Sequence, residues 1–226
     1  MKTDDHAGSG KGGKMGGRKQ RRTPARRRAR ADLGRLSRMW NELTEEQRTS
    51  WRHRARAVHS RVREGHSYPL DGQKLFNKIN SVLLLLGRKP WREAPPLPRF
   101  GPNQVGKLQI TGAGKGMALE LRVNGTPAEE IMVYASPPQN AGRQYCGDFR
   151  FLGLLPAPIE CLSDITRLYI KKYGVPPPNT RIFVRTWQVV DGWENKGAMQ
   201  ITSALVPARG GGAGGRAGAR AGGKKG

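Results

Sequence analysis

Apolar residues recur at spacings of three and four through the first part of the chain, and at a spacing of two through the second. Leu33, Leu36, Trp40 and Leu43 fall on one helical face, and Trp51, Ala55, Val58 and Val62 repeat at 4, 3 and 4. A third stripe, Leu75, Phe76, Ile79, Leu83 and Leu86, spans residues 73–86. The punctuation agrees. Thr44-Glu45-Glu46-Gln47 reads as a capping box that opens the second helix. Gly65 suits the end of the second helix, Gly87 suits the end of the third, and Pro90 blocks continuation. Tyr68-Pro69-Leu70-Asp71-Gly72 reads as the turn between them. Three short helices follow from this pattern, with Trp40, Trp51 and Phe76 as their core.

Period two takes over beyond residue 104. Leu119, Leu121 and Val123 alternate with Glu120 and Arg122, and Met132 and Tyr134 alternate with Ile131, Val133 and Ala135. Phe149 and Phe151 flank Arg150. Phe183, Arg185, Trp187 and Val189 face oppositely to Ile182, Val184 and Gln188, and Met199, Ile201 and Leu205 belong to a last run. Short strands separated by Gly/Pro/Asn turns at this density predict an antiparallel β-sandwich. One interruption is helical. Asp164 caps a segment with Ile165, Leu168, Tyr169 and Tyr173 on one side, and Gly174 and Pro176 end it. The fold class expected is therefore α+β with segregated parts. A basic disordered arm (1–31) leads into a three-helix unit (32–90), a Pro-rich linker (91–104), a β-sandwich (105–207) and a Gly/Ala/Arg/Lys tail (208–226), also expected to be disordered.

Charge sharpens this division. Residues 1–66 hold 19 Lys/Arg against 7 Asp/Glu, whereas residues 104–207 hold 11 against 8 and are almost balanced. Residues 208–226 hold 5 bases and no acid, and the whole chain carries a net charge of +24. The ends thus suit a polyanion, and the balanced module suits another task. Phosphate contact is expected from Lys19, Arg21, Arg22, Arg26, Arg27, Arg28 and Arg30 of the arm, and from Arg52 and Arg56 on the outer surface of the second helix. Such contacts give affinity with little sequence preference.

Two resemblances add to this reading. Trp40-Asn41-Glu42-Leu43-Thr44-Glu45-Glu46-Gln47-Arg48, with Trp51 and Ala55, resembles the last two helices of an HMG box, a family that bends DNA through its minor groove. The segment similar to that family's first helix, Leu75-Phe76-Asn77-Lys78, follows the pair instead of preceding it, so no wedge residue is assigned. A broader pattern runs from Thr23-Pro24 through Trp40, Trp51 and Leu75-Phe76 to Arg181-Ile182-Phe183-Val184-Arg185. It is similar to uncharacterised bacterial and prophage-associated proteins whose C-terminal part looks like a fibronectin type III or immunoglobulin-like module. That resemblance implies a non-enzymatic binding or assembly role.

Reactive chemistry finds little purchase. Gly112-Ala113-Gly114-Lys115-Gly116 lacks the spacing of a phosphate-binding loop and reads as a hairpin turn. His6, His53, His59 and His66 all precede the sandwich, which excludes a Ser-His-Asp triad within it. His53 and His59 lie about 240° apart on a helix and do not converge on one metal. Glu129-Glu130 and Asp148 have no visible partner for acid–base work. Cys146 and Cys161 fit one bridge or two reduced thiols equally well. No signal peptide or membrane span is evident, the longest apolar run being Val82–Leu86, so a cytoplasmic location is expected. The sequence thus predicts a non-enzymatic binding protein without cofactor or metal. Its arm, helices and tail would meet nucleic acid or another polyanion, and its sandwich would meet a protein partner or its own copies. The alternatives are a structural component of a prophage particle or surface assembly, and a ligand-binding sandwich that uses an exposed Trp187 or Trp193.

Overall fold

The computed structural model of the protein describes residues 24–58 and 70–208. Pro24 opens the first helix, where its fixed φ is suitable and its missing N–H is not needed. Helix α1 (Pro24–Asn41) therefore begins about two turns before the apolar stripe, and residues 24–31, expected to be disordered, are helical. Ala and Arg are strong helix formers. The stripe gave no sign of this segment because residues 24–32 hold no large apolar side chain. The rest of the basic arm and residues 209–226 of the tail lie outside the described residues.

Helix α2 (Glu45–Arg56) carries the capping box. Gln47 N donates to Thr44 Oγ1 at 3.2 Å, and Thr44 N donates to Gln47 Oε1 at 3.1 Å. This helix ends at Arg56, short of Gly65, and Arg61, Val62, Arg63 and Gly65 lie outside the described residues. Helix α3 (Gly72–Leu85) closes as the glycine predicts. Gly87, at φ 75°, lets its own N–H reach Leu84 O while Arg88 N reaches Leu83 O, which is a Schellman motif. Leu36, Leu43, Trp51, Leu75, Phe76, Ile79 and Leu83 form the helical core. The Phe76 ring lies 5.4 Å from Trp40 and meets Trp51 edge-on at 5.2 Å. Trp51 also donates its indole N–H to Arg92 O at 2.7 Å. Leu33 departs from its stripe and is 49% exposed.

Two antiparallel sheets follow. Strands β1 (Val105–Thr111), β2 (Ala118–Val123) and β6 (Leu162–Asp164) form the smaller one. The larger has the order β4 (Gln139–Asn140), β7 (Thr180–Val190), β3 (Glu130–Ala135) and β5 (Arg150–Leu154). Strands β8 (Trp193–Glu194) and β9 (Gln200–Leu205) also pair with β7. Inner faces of the two sheets meet in one core. Leu108, Ile110, Leu119 and Leu121 pack with Ile131, Val133, Ile182 and Val184, and α4 (Thr166–Tyr173) adds Tyr169. The N-cap of α4 is Ile165, one residue later than the sequence places it; Asp164 ends β6 and accepts Thr166 N at 2.7 Å from there, and Gly174, at φ 77°, stops the helix. The Gly112–Gly116 segment joins β1 to β2 as a hairpin turn. Both Cys146 and Cys161 are free thiols.

The outer face of the larger sheet is not left to water. Met132, Trp187 and Val189 pack on Val82, with Leu86 against them, and Trp193 enters the helical core. Strands β3 and β7 are consequently buried on both sides, and the molecule is layered as helices, sheet and sheet. Trp187 is 3% exposed and Trp193 is 6% exposed. Neither ring can offer a platform to a ligand, which removes the sandwich reading built on them.

The Pro-rich connector is extended, as its prolines require, but it is tied down rather than loose. Buried Asn80 accepts Trp91 N at 2.7 Å and donates to Trp91 O at 3.2 Å. At the other end, Gly101 N donates to Glu129 Oε1 at 2.9 Å, and Gln188 Nε2 donates to Gly101 O at 2.9 Å.

Candidate nucleic-acid interface

Helix α1 has two unlike halves. Its C-terminal half buries Leu36 in the helical core, while residues 24–31 are exposed. Arg26, Arg27, Arg28 and Arg30 occupy this exposed half, and its first turn holds no acid. Unpaired N–H groups already make a helix N-terminus positive, so Arg26 and Arg27, in the first turn, oppose the dipole at about 0.3–1 kcal/mol each at low salt. An anion seated on this end would relieve that repulsion.

Other cations converge on the same side. A recess of about 320 Å³ is lined by Arg28, Arg35, Arg88 and Lys89, with Asp32 among them. A wider groove of about 810 Å³ lies between α1, the end of α3, β5 and α4. Arg28, Lys171 and Lys172 line it in company with Leu33, Leu85, Phe151 and Leu168. Residues 25, 28, 29, 32 and 33 of α1 face the groove, a helical spacing that sets Arg28 beside Ala25, Ala29 and Leu33. Arg88 is paired with Glu130, which fastens the end of α3 to the sheet. No ion pair forms among the described residues for Arg28, Arg35, Lys89, Lys171 or Lys172.

The residues expected to contact phosphate therefore divide. Arg26, Arg27, Arg28 and Arg30 share one exposed helical segment, and Arg28 borders both recesses. Arg52 lies on α2, where it pairs with Glu45, and Arg56 is in the last turn of that helix. Neither lines the two recesses. Lys19, Arg21 and Arg22 lie outside the described residues. Arg48, on the same helix, donates to Trp40 O and Asn41 O and satisfies the end of α1. Arg35, Lys89, Lys171 and Lys172 were not expected as contacts. Each is a surface cation in an ordinary local sequence, and only packing makes them neighbours of Arg28.

Titration behaviour of the fold is structural. Tyr169 donates its hydroxyl to Ser136 O at 3.2 Å, and Tyr173 donates to Ala135 O at 2.8 Å. Burial raises both phenols, Tyr173 to about 12. Among the described residues, no three His, Cys, Asp or Glu side chains are grouped to hold a metal ion, and no helix is long and apolar enough to cross a membrane. No family model, curated protein or solved structure matches the chain.

Proposed function

We propose that this is a nucleic-acid-binding protein, not an enzyme, that grips phosphates through the exposed half of α1 and the cations gathered beside it. One observation carries the reading: Arg28 joins an Arg-rich helix start to Arg35, Lys89, Lys171 and Lys172 on one side of the molecule. Basic segments on either side of the described region, including Lys19, Arg21 and Arg22, would add further contacts. Backbone contact of this kind is insensitive to sequence.

Duplex DNA binding by fluorescence anisotropy across a salt series tests this. Log affinity should fall by about 0.9 per phosphate for each unit of log salt. Replacing Arg26, Arg27, Arg28 and Arg30 with Gln should flatten the slope by about 3–4 units. Replacing Arg52 alone should change it by less than about one unit. A wild-type slope near zero, or one untouched by the quadruple substitution, refutes the proposal.

A second role, assembly through the sheets, has its own support. Strand β9 pairs with β7 on one side and lies along β1 on the other, where Leu108 N donates to Thr202 Oγ1 at 2.9 Å, and its outward face carries exposed Ile201 and Leu205 next to exposed Met199. Exposed apolar residues grouped on one face favour contact with another chain. Light scattering should then show concentration-dependent growth that Ile201→Lys abolishes. A monomer at all concentrations rules out self-assembly by this face.

A further inference from the structure

Leu33 and Leu85 come from different helices, are 49% and 45% exposed, and open into the same groove. Single exposed leucines are ordinary, but two that share one concave surface with Leu168 are a patch. Leu33 belongs to the α1 stripe by spacing, yet it lies outside the helical core and lines the groove that residues of β5 and α4 close from the other side. The small side chains of Ala25 and Ala29 line the groove on α1, leaving room for an occupant to approach the helix closely.

The rim sets the sign of that occupant. Arg28 stands on one side with Asp32 a turn along the helix, and Lys171 and Lys172 stand on the other in the last turn of α4, so the charged lining is net positive. The chain's own ends do not complement them. Residues 1–23 hold 7 Lys/Arg against 2 Asp/Glu, and residues 209–226 hold only bases. A second copy, at a net charge of +24, is disfavoured for the same reason. An acidic partner is required, with apolar groups spaced to reach two leucines on neighbouring helices.

We propose that this groove docks an acidic amphipathic helix of another protein. Its leucines at i, i+3 or i+4, and i+7 would cover Leu33, Leu85 and Leu168, and its flanking carboxylates would meet Arg28, Lys171 and Lys172. The site shares Arg28, Lys171 and Lys172 with the proposed phosphate grip and differs from it in requiring apolar contact.

The test uses the full chain and a fluorescent probe peptide of about four helical turns, with leucines at that spacing and glutamates elsewhere. A control peptide has the same charge and serines for leucines. The leucine peptide should bind at least tenfold more tightly than the control. Leu33→Ser with Leu85→Ser should weaken it at least tenfold while duplex DNA affinity stays within twofold. Lys171→Glu with Lys172→Glu, wholly on the surface, should weaken it at least tenfold and keeps the test open should the leucine variant unfold. Equal binding of the two peptides overturns the proposal. So does a leucine variant that folds and binds normally, or laurate filling the groove while the peptide shows no leucine dependence.

Discussion

Gly192 provides a direct measure of whether helices and sheets fold as one body. It occupies the second position of the Asp191-Gly192 turn between β7 and β8, where both residues have positive φ, as a type I′ hairpin requires. A Cβ on Gly192 would lie 2.7 Å from Ile79 Cγ2 and 2.8 Å from Ile79 O, so Gly192→Ala drives a methyl group into α3. Two costs result. The backbone at φ 83° is unfavourable for an L side chain by about 1–2 kcal/mol, and overpacking adds about 1–3 kcal/mol. Gly114→Ala separates them. Gly114 has φ 66°, and a Cβ there would meet nothing within 4 Å, so it bears only the first cost. With a urea m-value of about 2 kcal/mol/M, Gly192→Ala should lower the unfolding midpoint by about 0.5–1.5 M more than Gly114→Ala does. Far-ultraviolet circular dichroism and tryptophan fluorescence should report the same midpoint, since Trp51 lies in the helical core and Trp187 on the sheet beneath it. Equal shifts for the two alanine variants, or separate transitions for the two probes, would refute the layered packing.

Other outcomes follow from the same contacts. Asn80→Ala strips Trp91 of both its hydrogen-bond partners, and denaturant melts should show a loss of about 1–3 kcal/mol. Thr44→Ala removes half of the capping box and should cost about 1 kcal/mol, with Gln47→Ala smaller and not additive to it. Burial keeps Tyr134, Tyr169 and Tyr173 protonated above the ordinary phenol range, and the Glu194 carboxylate adds to the effect at Tyr134. The unfolded chain releases these protons near pH 10 and the folded chain holds them, so stability is full below pH 10 and falls as pH rises toward 12 and beyond. Urea midpoints that increase between pH 9.5 and 11 would contradict this sign.

Local order was legible wherever one short stretch of residues carried both the signal and its consequence. Thr44 and Gln47 are a turn apart, so the capping box needed no tertiary partner. The Gly87 stop, the Gly112–Gly116 turn and the Asp164 bond to Thr166 at the start of α4 are equally local. Alternation along β2 was read correctly because that strand has one buried face, Leu119, Leu121 and Val123, and one partly exposed face. Alternation along β3 and β7 gave no sign that both faces are buried, because the cover on Met132, Trp187 and Val189 is a second apolar side of α3, Val82 with Leu86 beyond its end. Periodicity records which residues are apolar but not what lies against them.

The candidate sites mark the same boundary. An Arg-rich start to the chain is a property of composition, visible without any fold. That Arg28 borders one groove with Lys171 and Lys172, while Arg52 is occupied by Glu45, is not. Exposed cations are under no packing constraint, so they leave no periodic trace, and their neighbours are chosen by how the buried faces beneath them dock. Residue identity alone determined the helices, the turns and the basic character of this protein. Burial of both faces of the larger sheet decided which charges share a surface and which leucines remain uncovered.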